Sequence, residues 1–377
     1  MFKNKENGFS KIDFILLILI FCAIGIIYYM LSTENSLSEI VQVNIINNIL
    51  SHDEVSTNTA DEKNEQVVTS VALSNDIISQ SAAGSNNVPN PTPSAPALNY
   101  FFYNQLGEYE KGMYNRILNN ISALKSGHDQ IEIATSKENV EFDFQACWDA
   151  FCLDRPDIFY VDTKKVSFLT KTTSSVWDGV TNNYIIQPRD GQNYYLDCWT
   201  TENEINSATS EVESVANDVI SKSANYSNIY EKVKYVHDFI IENCEYDQDK
   251  GINDSDIYGN LVKKISVCEG YAKAFKYLLD KLNIPCVIVC GDGIADDGHS
   301  EFHAWNYVQM DDGNWYAVDA TWDDPIVIGR GTLSEKSKHK YFLVGTNNFS
   351  DTHHEDGDVS GTGQNFVYPK LSETNYK

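Results

Sequence analysis

The chain has 377 residues, too many for one ordinary core and enough for two or three units of roughly 100 to 200 residues each. Apolar residues at 42% and aromatics at 12% exclude wholesale disorder. With 54 acidic against 28 basic side chains the net charge is -26, which repels phosphate backbones and speaks against nucleic acid as a partner. Eight Cys in so long a chain do not make a small disulfide scaffold, and no CxxC pair suggests a zinc ribbon or a thioredoxin-type site.

Phe14 to Leu31 is an uncharged apolar run. As a helix it rises about 27 Å, close to the hydrocarbon thickness of a bilayer. Lys3, Lys5 and Lys11 precede it and no Lys or Arg follows until Lys63. The positive-inside rule therefore predicts that residues 1–13 are cytoplasmic and that the chain after Ser32 is extracytoplasmic. The run is longer than a signal-peptide core and lacks a small-x-small site, so 14–31 reads as an uncleaved signal-anchor. Leu19 to Cys22 superficially resembles a lipoprotein box, but Phe21 stands where a small residue is needed. Lys3, Lys5, Gly8-Phe9 and Asp13 resemble a prepilin leader cut after Gly8, with departures at Asp13, where such proteins carry Glu, and at Lys11.

Residues 32–98 are rich in Ser, Asn, Thr and Asp, hold no Trp, Tyr or Phe, and end in Pro89, Pro91, Pro93 and Pro96. That composition cannot bury a core and predicts a disordered, partly polyproline-like stalk. Aromatic residues return at Tyr100. Over 99–225 the spacing predicts an α+β region of unknown role: helices over Tyr109–Leu124 and Phe144–Phe151, strands around Ile158–Leu169, Asn183–Gln187 and Tyr194–Trp199, and a helix over Glu204–Ser221. The last part, 226–377, opens with a helix over Ile229–Cys244, striped by Val233, Val236, Phe239 and Ile240.

After Val267, Tyr271, Ala274, Phe275, Leu278, Leu279 and Leu282 mark one face of a helix whose first turn carries Cys268. Unpaired amides and the dipole at a helix amino terminus favour an anion, and thiolate is the nucleophilic form of Cys. Pro285 ends the helix, and Cys286–Cys290 predicts a short buried strand. Strands over Phe302–Met310 and Asn314–Trp322 flank Asp312-Gly313, a hairpin signal that sets His303 and Asp319 nearly opposite one another. A thiol on a helix tip, an imidazole and a carboxylate on paired strands are the parts of nucleophilic acyl transfer. The Cys268 amide would serve the oxyanion. Trp305 and Trp322 are candidate groove walls.

V-C-E-G-Y-A at 267–272, H-A-W-N at 303–306 and V-D-A-T-W-D-D-P at 318–325 resemble the signature blocks of the bacterial extracytoplasmic transglutaminase-like domain family. The resemblance covers about 230–345 and implies an α+β, papain-like core with Cys268, His303 and Asp319 as its triad; by analogy with an aromatic donor in some relatives, it makes Tyr258 a candidate oxyanion donor. It leaves the reaction open among crosslinking, peptide hydrolysis, amide hydrolysis and noncatalytic binding. D-R-P-D-I-F-Y at 154–160 is similar to a segment that precedes such domains. The expected function is a membrane-anchored cysteine acyltransferase or amide hydrolase acting on a protein or peptide, with no cofactor and no metal. The alternative is a noncatalytic envelope, adhesion or pilus-like module. Metal ligation by His299, Glu301 and His303, with His353 and His354, has no zinc-type spacing behind it. Cys147, Cys152, Cys244, Cys286 and Cys290 read as core, and Cys286 and Cys290, about 13 Å apart along one strand, cannot bridge.

Overall fold

The computed structural model describes residues 67–69, 100–137, 142–177, 179–189, 192–247, 254–295, 298–324, 334–361 and 365–377. The expected anchor at 14–31 and the prepilin-like site lie outside the described residues, as does the expected stalk apart from Val67–Thr69. Among the described residues no helix is long and apolar enough to cross a membrane.

The first sheet is antiparallel, ordered β1-β3-β4-β2, with β1 Val67–Thr69, β2 Ile131–Ser136, β3 Val166–Ser175 and β4 Gly179–Pro188. Helices α1 Glu108–Asn119, α2 Ile121–Ser126 and α3 Phe144–Asp154 accompany it. The single helix expected over Tyr109–Leu124 is thus two. Asn120 breaks it by leaving helical geometry and bonding the Arg116 carbonyl through its own amide at 2.7 Å. The strand expected from Ile158 begins only at Val166, because Asp162 accepts from Lys164 N at 2.9 Å and folds residues 163–165 into a short turn. Tyr194–Trp199 contributes one isolated bridge, Val161 to Tyr195, rather than a strand.

Helix α4, Glu202–Ser223, starts at a capping box in which Thr201 and Glu204 satisfy each other's backbone. Helix α5, Ile229–Asn243, buries Val233, Val236 and Ile240 as the stripe requires, and buries His237 as well. A two-residue parallel pair, β5 Glu245–Tyr246 and β6 Ile265–Ser266, leads into helix α6, Cys268–Lys281. The second sheet is antiparallel, ordered β10-β7-β8-β9, with β7 Cys286–Ile294, β8 Ser300–Gln309, β9 Trp315–Val318 and β10 His353–Glu355. A short helix, α7 Glu335–Lys338, lies between β9 and β10. The α+β architecture with antiparallel sheets is that expected of a transglutaminase-like core.

Helix α6 seals this sheet with Phe275, Leu278 and Leu279, each fully buried and each worth about 1.5–3 kcal/mol. Asn306 of β8 donates to the Ala272 carbonyl at 3.0 Å and fixes the helix along the sheet. The D-R-P-D-I-F-Y segment has a structural task. Buried Asp154 accepts from Phe102 N and Tyr103 N at 3.1 and 2.9 Å and faces the buried ammonium of Lys276 on α6. Lys276 in turn bonds Asp280 and the Cys286 carbonyl. From Gln66 to Lys377 the chain forms one compact unit.

Candidate active site

Cys268 is the first residue of α6, half-buried, and no side chain caps that end of the helix. Its approach is held by Val267 N and Ser266 Oγ, both of which donate to the Asp254 carbonyl at 2.7 Å. Gly270 makes this possible: a Cβ there would stand 2.0 Å from Ser266 Oγ and 2.8 Å from the Asp254 carbonyl. The glycine of C-E-G-Y-A therefore lets a second backbone strand cross the first helical turn.

His303 sits on β8, opposite Gly291 of β7. Gly293 leaves room for it, since a Cβ there would lie 3.1 Å from both His303 Cβ and Trp322 Cζ2. His303 Nε2 donates to Asp319 Oδ2 at 2.7 Å, which leaves Nδ1 as the ring nitrogen for the Cys268 side chain that acts on the imidazole. Burial pulls the His303 pKa down, but the charge and hydrogen bond of Asp319, together with Cys268, outweigh it and hold the ring up at about 10.

The strand expected to run to Trp322 stops at Val318, and the reason lies in Asp319. Its Oδ1 accepts from Thr321 N at 2.9 Å and Trp322 N at 3.1 Å, turning the chain out of the sheet. The carboxylate is fully buried; burial raises its pKa, yet bonds to His303 and His353 carry it well below the ordinary range. His303 and Asp319 are thus joined by a hydrogen bond, with Cys268 acting on the imidazole from the tip of α6.

The remaining candidates divide. Trp322 is half-buried, with its ring 5.3 Å from that of His303, where a groove wall would be. Trp305 is 1% exposed and stacks behind His303 at 5.9 Å, so it supports the imidazole from the core and does not line a groove. Tyr258 is not an oxyanion donor: its hydroxyl donates to Glu211 at 3.3 Å, and its ring packs on Phe159 and Trp199. The aromatic residue that does lie in the field of Cys268 is Tyr246, at the end of β5, whose pKa burial, Cys268 and Glu301 push up to about 12.

Two histidines carry weight that sequence spacing did not reveal. His353 Nε2 lies 3.0 Å from Asp319 Oδ2. His237 is held between Asp238 Oδ1 at 3.2 Å and Asp323 Oδ2 at 3.1 Å; burial lowers its pKa, but the two carboxylates raise it overall. Of the residues weighed as metal ligands, His303 and His353 gather, with Asp319, their ligand atoms within 4.8 Å; His237, Asp238 and His339 form a second such group. In each group the close approach coincides with hydrogen bonds among the members, and Lys234 also pairs with Asp238 at 2.5 Å. Among the described residues no disulfide is formed, and burial pushes Cys152 and Cys290 up to about 12.

Residues 213–320 match the Transglutaminase-like superfamily profile. Among solved structures the chain is similar to a TGase, at 16% identity and a TM-score of 0.29, with 55% of either chain covered. It is also similar to a candidate cysteine protease from Cytophaga hutchinsonii, at 15% identity and a TM-score of 0.26, covering 43% of this chain and 68% of that one. The periplasmic domain of TgpA from Pseudomonas aeruginosa is similar at 14% identity and a TM-score of 0.23, covering 43% and 74%. No curated protein matches. The matched stretch takes in Cys268, His303 and Asp319, and the chain carries a domain of the transglutaminase-like superfamily.

Proposed function

We propose that this is a membrane-anchored, extracytoplasmic cysteine acyltransferase or amide hydrolase acting on a protein or peptide of the cell envelope. Cys268 Sγ attacks the carbonyl carbon of an amide as thiolate, and the carbonyl π pair moves onto oxygen. The uncapped amino terminus of α6 stabilises the oxyanion, and Tyr246, which feels the Cys268 charge, is the second donor in this reading. Collapse breaks the C–N bond, and His303 delivers its proton to the departing nitrogen, leaving a thioester. Water or a lysine amine then attacks the thioester while His303 takes a proton, and Cys268 leaves as thiolate to restore the site. Asp319 keeps the imidazole in one orientation throughout.

The observation that carries this reading is the contact of a helix-tip thiol with an imidazole whose far nitrogen is bonded by a fully buried carboxylate. Anchoring rests on the apolar run at 14–31 and the lysines before it. The test is to incubate the protein with a glutamine-containing donor peptide and a labelled amine, and to weigh both products by mass spectrometry. Amine incorporation or deamidation by the wild type, abolished in Cys268→Ala, is expected. Equal product from both proteins, or none from either across a donor library, refutes it. Sequencing the mature amino terminus tests the anchor: retention of Met1 is expected, whereas a start at Phe9 identifies a filament subunit.

A further inference from the structure

His353 lies on β10, beyond the stretch 213–320 that matches the family, and brings a second imidazole onto the carboxylate that orients His303. Its Nε2 approaches the same oxygen, Asp319 Oδ2, at 3.0 Å that His303 reaches at 2.7 Å. Its Nδ1 lies 2.9 Å from Thr352 Oγ1. The ring stacks on Phe349 with centroids 3.9 Å apart and lies 4.5 Å from Trp322, so its orientation is fixed by packing.

We propose that His353 is a positioning residue of the thiol site: as a neutral imidazole it donates Nε2–H to Asp319 Oδ2 and locks the carboxylate on which His303 depends. This rests on Cys268, His303 and Asp319 being the reacting group.

Hydrogen-bond accounting supplies the protonation pattern. An ionised carboxylate only accepts, so both Nε2 atoms carry hydrogen. Thr321 N and Trp322 N occupy Oδ1 and the two imidazoles occupy Oδ2, which exhausts the acceptor sites. Two imidazolium rings 5.7 Å apart would set like charges side by side in a buried site with one carboxylate to answer both. One ring must be neutral. Asp319 and Cys268 together raise His303, whereas His353 is held down by burial, with His303 and His354 opposing the pull of Asp319. Asp319, His303 and His354 act on it, and Asp292 of β7 stands in register with His354 rather than with His353. With Nε2 protonated in a neutral ring, Nδ1 accepts, so the Thr352 hydroxyl donates to it at 2.9 Å in preference to the Phe349 carbonyl at 3.2 Å.

The consequence is mechanical. Without His353, Asp319 is tied, apart from His303 itself, only through Oδ1 to two neighbouring amides, and Oδ2 can move with the His303 ring as charge appears on it.

His353→Phe keeps a ring and removes the donor, and His353→Gln returns an N–H near the place of Nε2. The readouts, on the full chain in detergent, are the pH profile of iodoacetamide labelling of Cys268 and the kcat and KM for amine incorporation. In His353→Phe the alkaline step of the profile, where His303 loses its proton, moves down by about one pH unit or more, and kcat falls about 10- to 100-fold with KM nearly unchanged. His353→Gln recovers most of both. A wild-type profile and kcat in His353→Phe overturn the proposal, as does equal impairment of the Phe and Gln variants. Should the Phe variant fail to fold, Thr352→Val carries the test, since loss of the hydroxyl that sets the tautomer shifts the same step downward, and an unshifted step overturns the proposal. Wild-type Cys268 labelling no faster than other accessible thiols refutes the thiol chemistry itself, an outcome distinct from an unshifted variant.

Discussion

Replacing Asp319 by Asn keeps the shape of the side chain and removes the charge that holds His303 as a cation. In the native protein His303 rises from an ordinary 6.5 to about 10. A base raised on folding binds its proton more tightly in the native state, so the stability it confers is complete below about pH 6.5 and is lost as pH climbs through about 10. At roughly 1.36 kcal/mol per unit, the linkage integral gives about 5 kcal/mol on the acid side, about 4 kcal/mol at pH 7 and almost nothing at pH 10. The depressed Asp319 is the other half of the same pairing and adds nothing further. The wild type therefore loses most of that stability, on the order of a few kcal/mol, between pH 7 and pH 10. In Asp319→Asn burial acts on His303 without its counter-charge, and the loss disappears. Guanidinium unfolding followed by circular dichroism at several pH values measures this. Taking the difference between the two proteins at each pH cancels the common titration of Tyr and Lys. A difference that stays flat from pH 7 to pH 10 refutes the pairing.

Tyr246→Phe is expected to lower kcat about 100-fold if its hydroxyl serves the oxyanion, whereas Tyr258→Phe leaves amine incorporation nearly unchanged. Equal losses would return the role to Tyr258. His237→Leu strands Asp323, fully buried and bonded to His237 Nε2 at 3.1 Å, and is expected to cost about 3–5 kcal/mol in chemical denaturation. A cost below about 1 kcal/mol would mean that the pair contributes little.

What the sequence made legible is what its local periodicity and turn chemistry encode. Helix α6 and its buried face follow from Tyr271, Phe275, Leu278 and Leu279, and the β8–β9 hairpin from Asp312-Gly313, where Gly313 adopts φ 79°. Element ends were less legible because side chains override propensity there. Asn120 broke one helix through its own amide, Asp162 delayed β3, and Asp319 stopped β9 four residues short of Trp322. At the site, Cys268, His303 and Asp319 stand in recognisable blocks. Tyr246 stands in a two-residue strand without periodicity, and Tyr258 was a rival because nothing local distinguishes two tyrosines before the same helix. His353 is 34 residues beyond Asp319, and only the pairing of β10 with β7 brings it back.

That long return accounts for residues of V-D-A-T-W-D-D that do not react. Each of its three carboxylates is anchored to a different element. Asp319 is held by His303 of β8 and His353 of β10, and Asp323 by His237 of α5 and the Tyr341 amide. Asp324, which burial lifts to about 6, accepts from the hydroxyl of Tyr271 at 2.7 Å. Tyr271 belongs to the same C-E-G-Y-A block as the thiol, so two of the signature blocks touch directly through residues outside the triad. The segment after β9 is an irregular turn with no ladder of its own to hold it, and a carboxylate there could orient an imidazole only loosely. Three buried anchors replace the missing ladder. They do so with charged groups whose unpaired burial would be costly, which ties the position of Asp319 to the integrity of α5, α6 and β10 together.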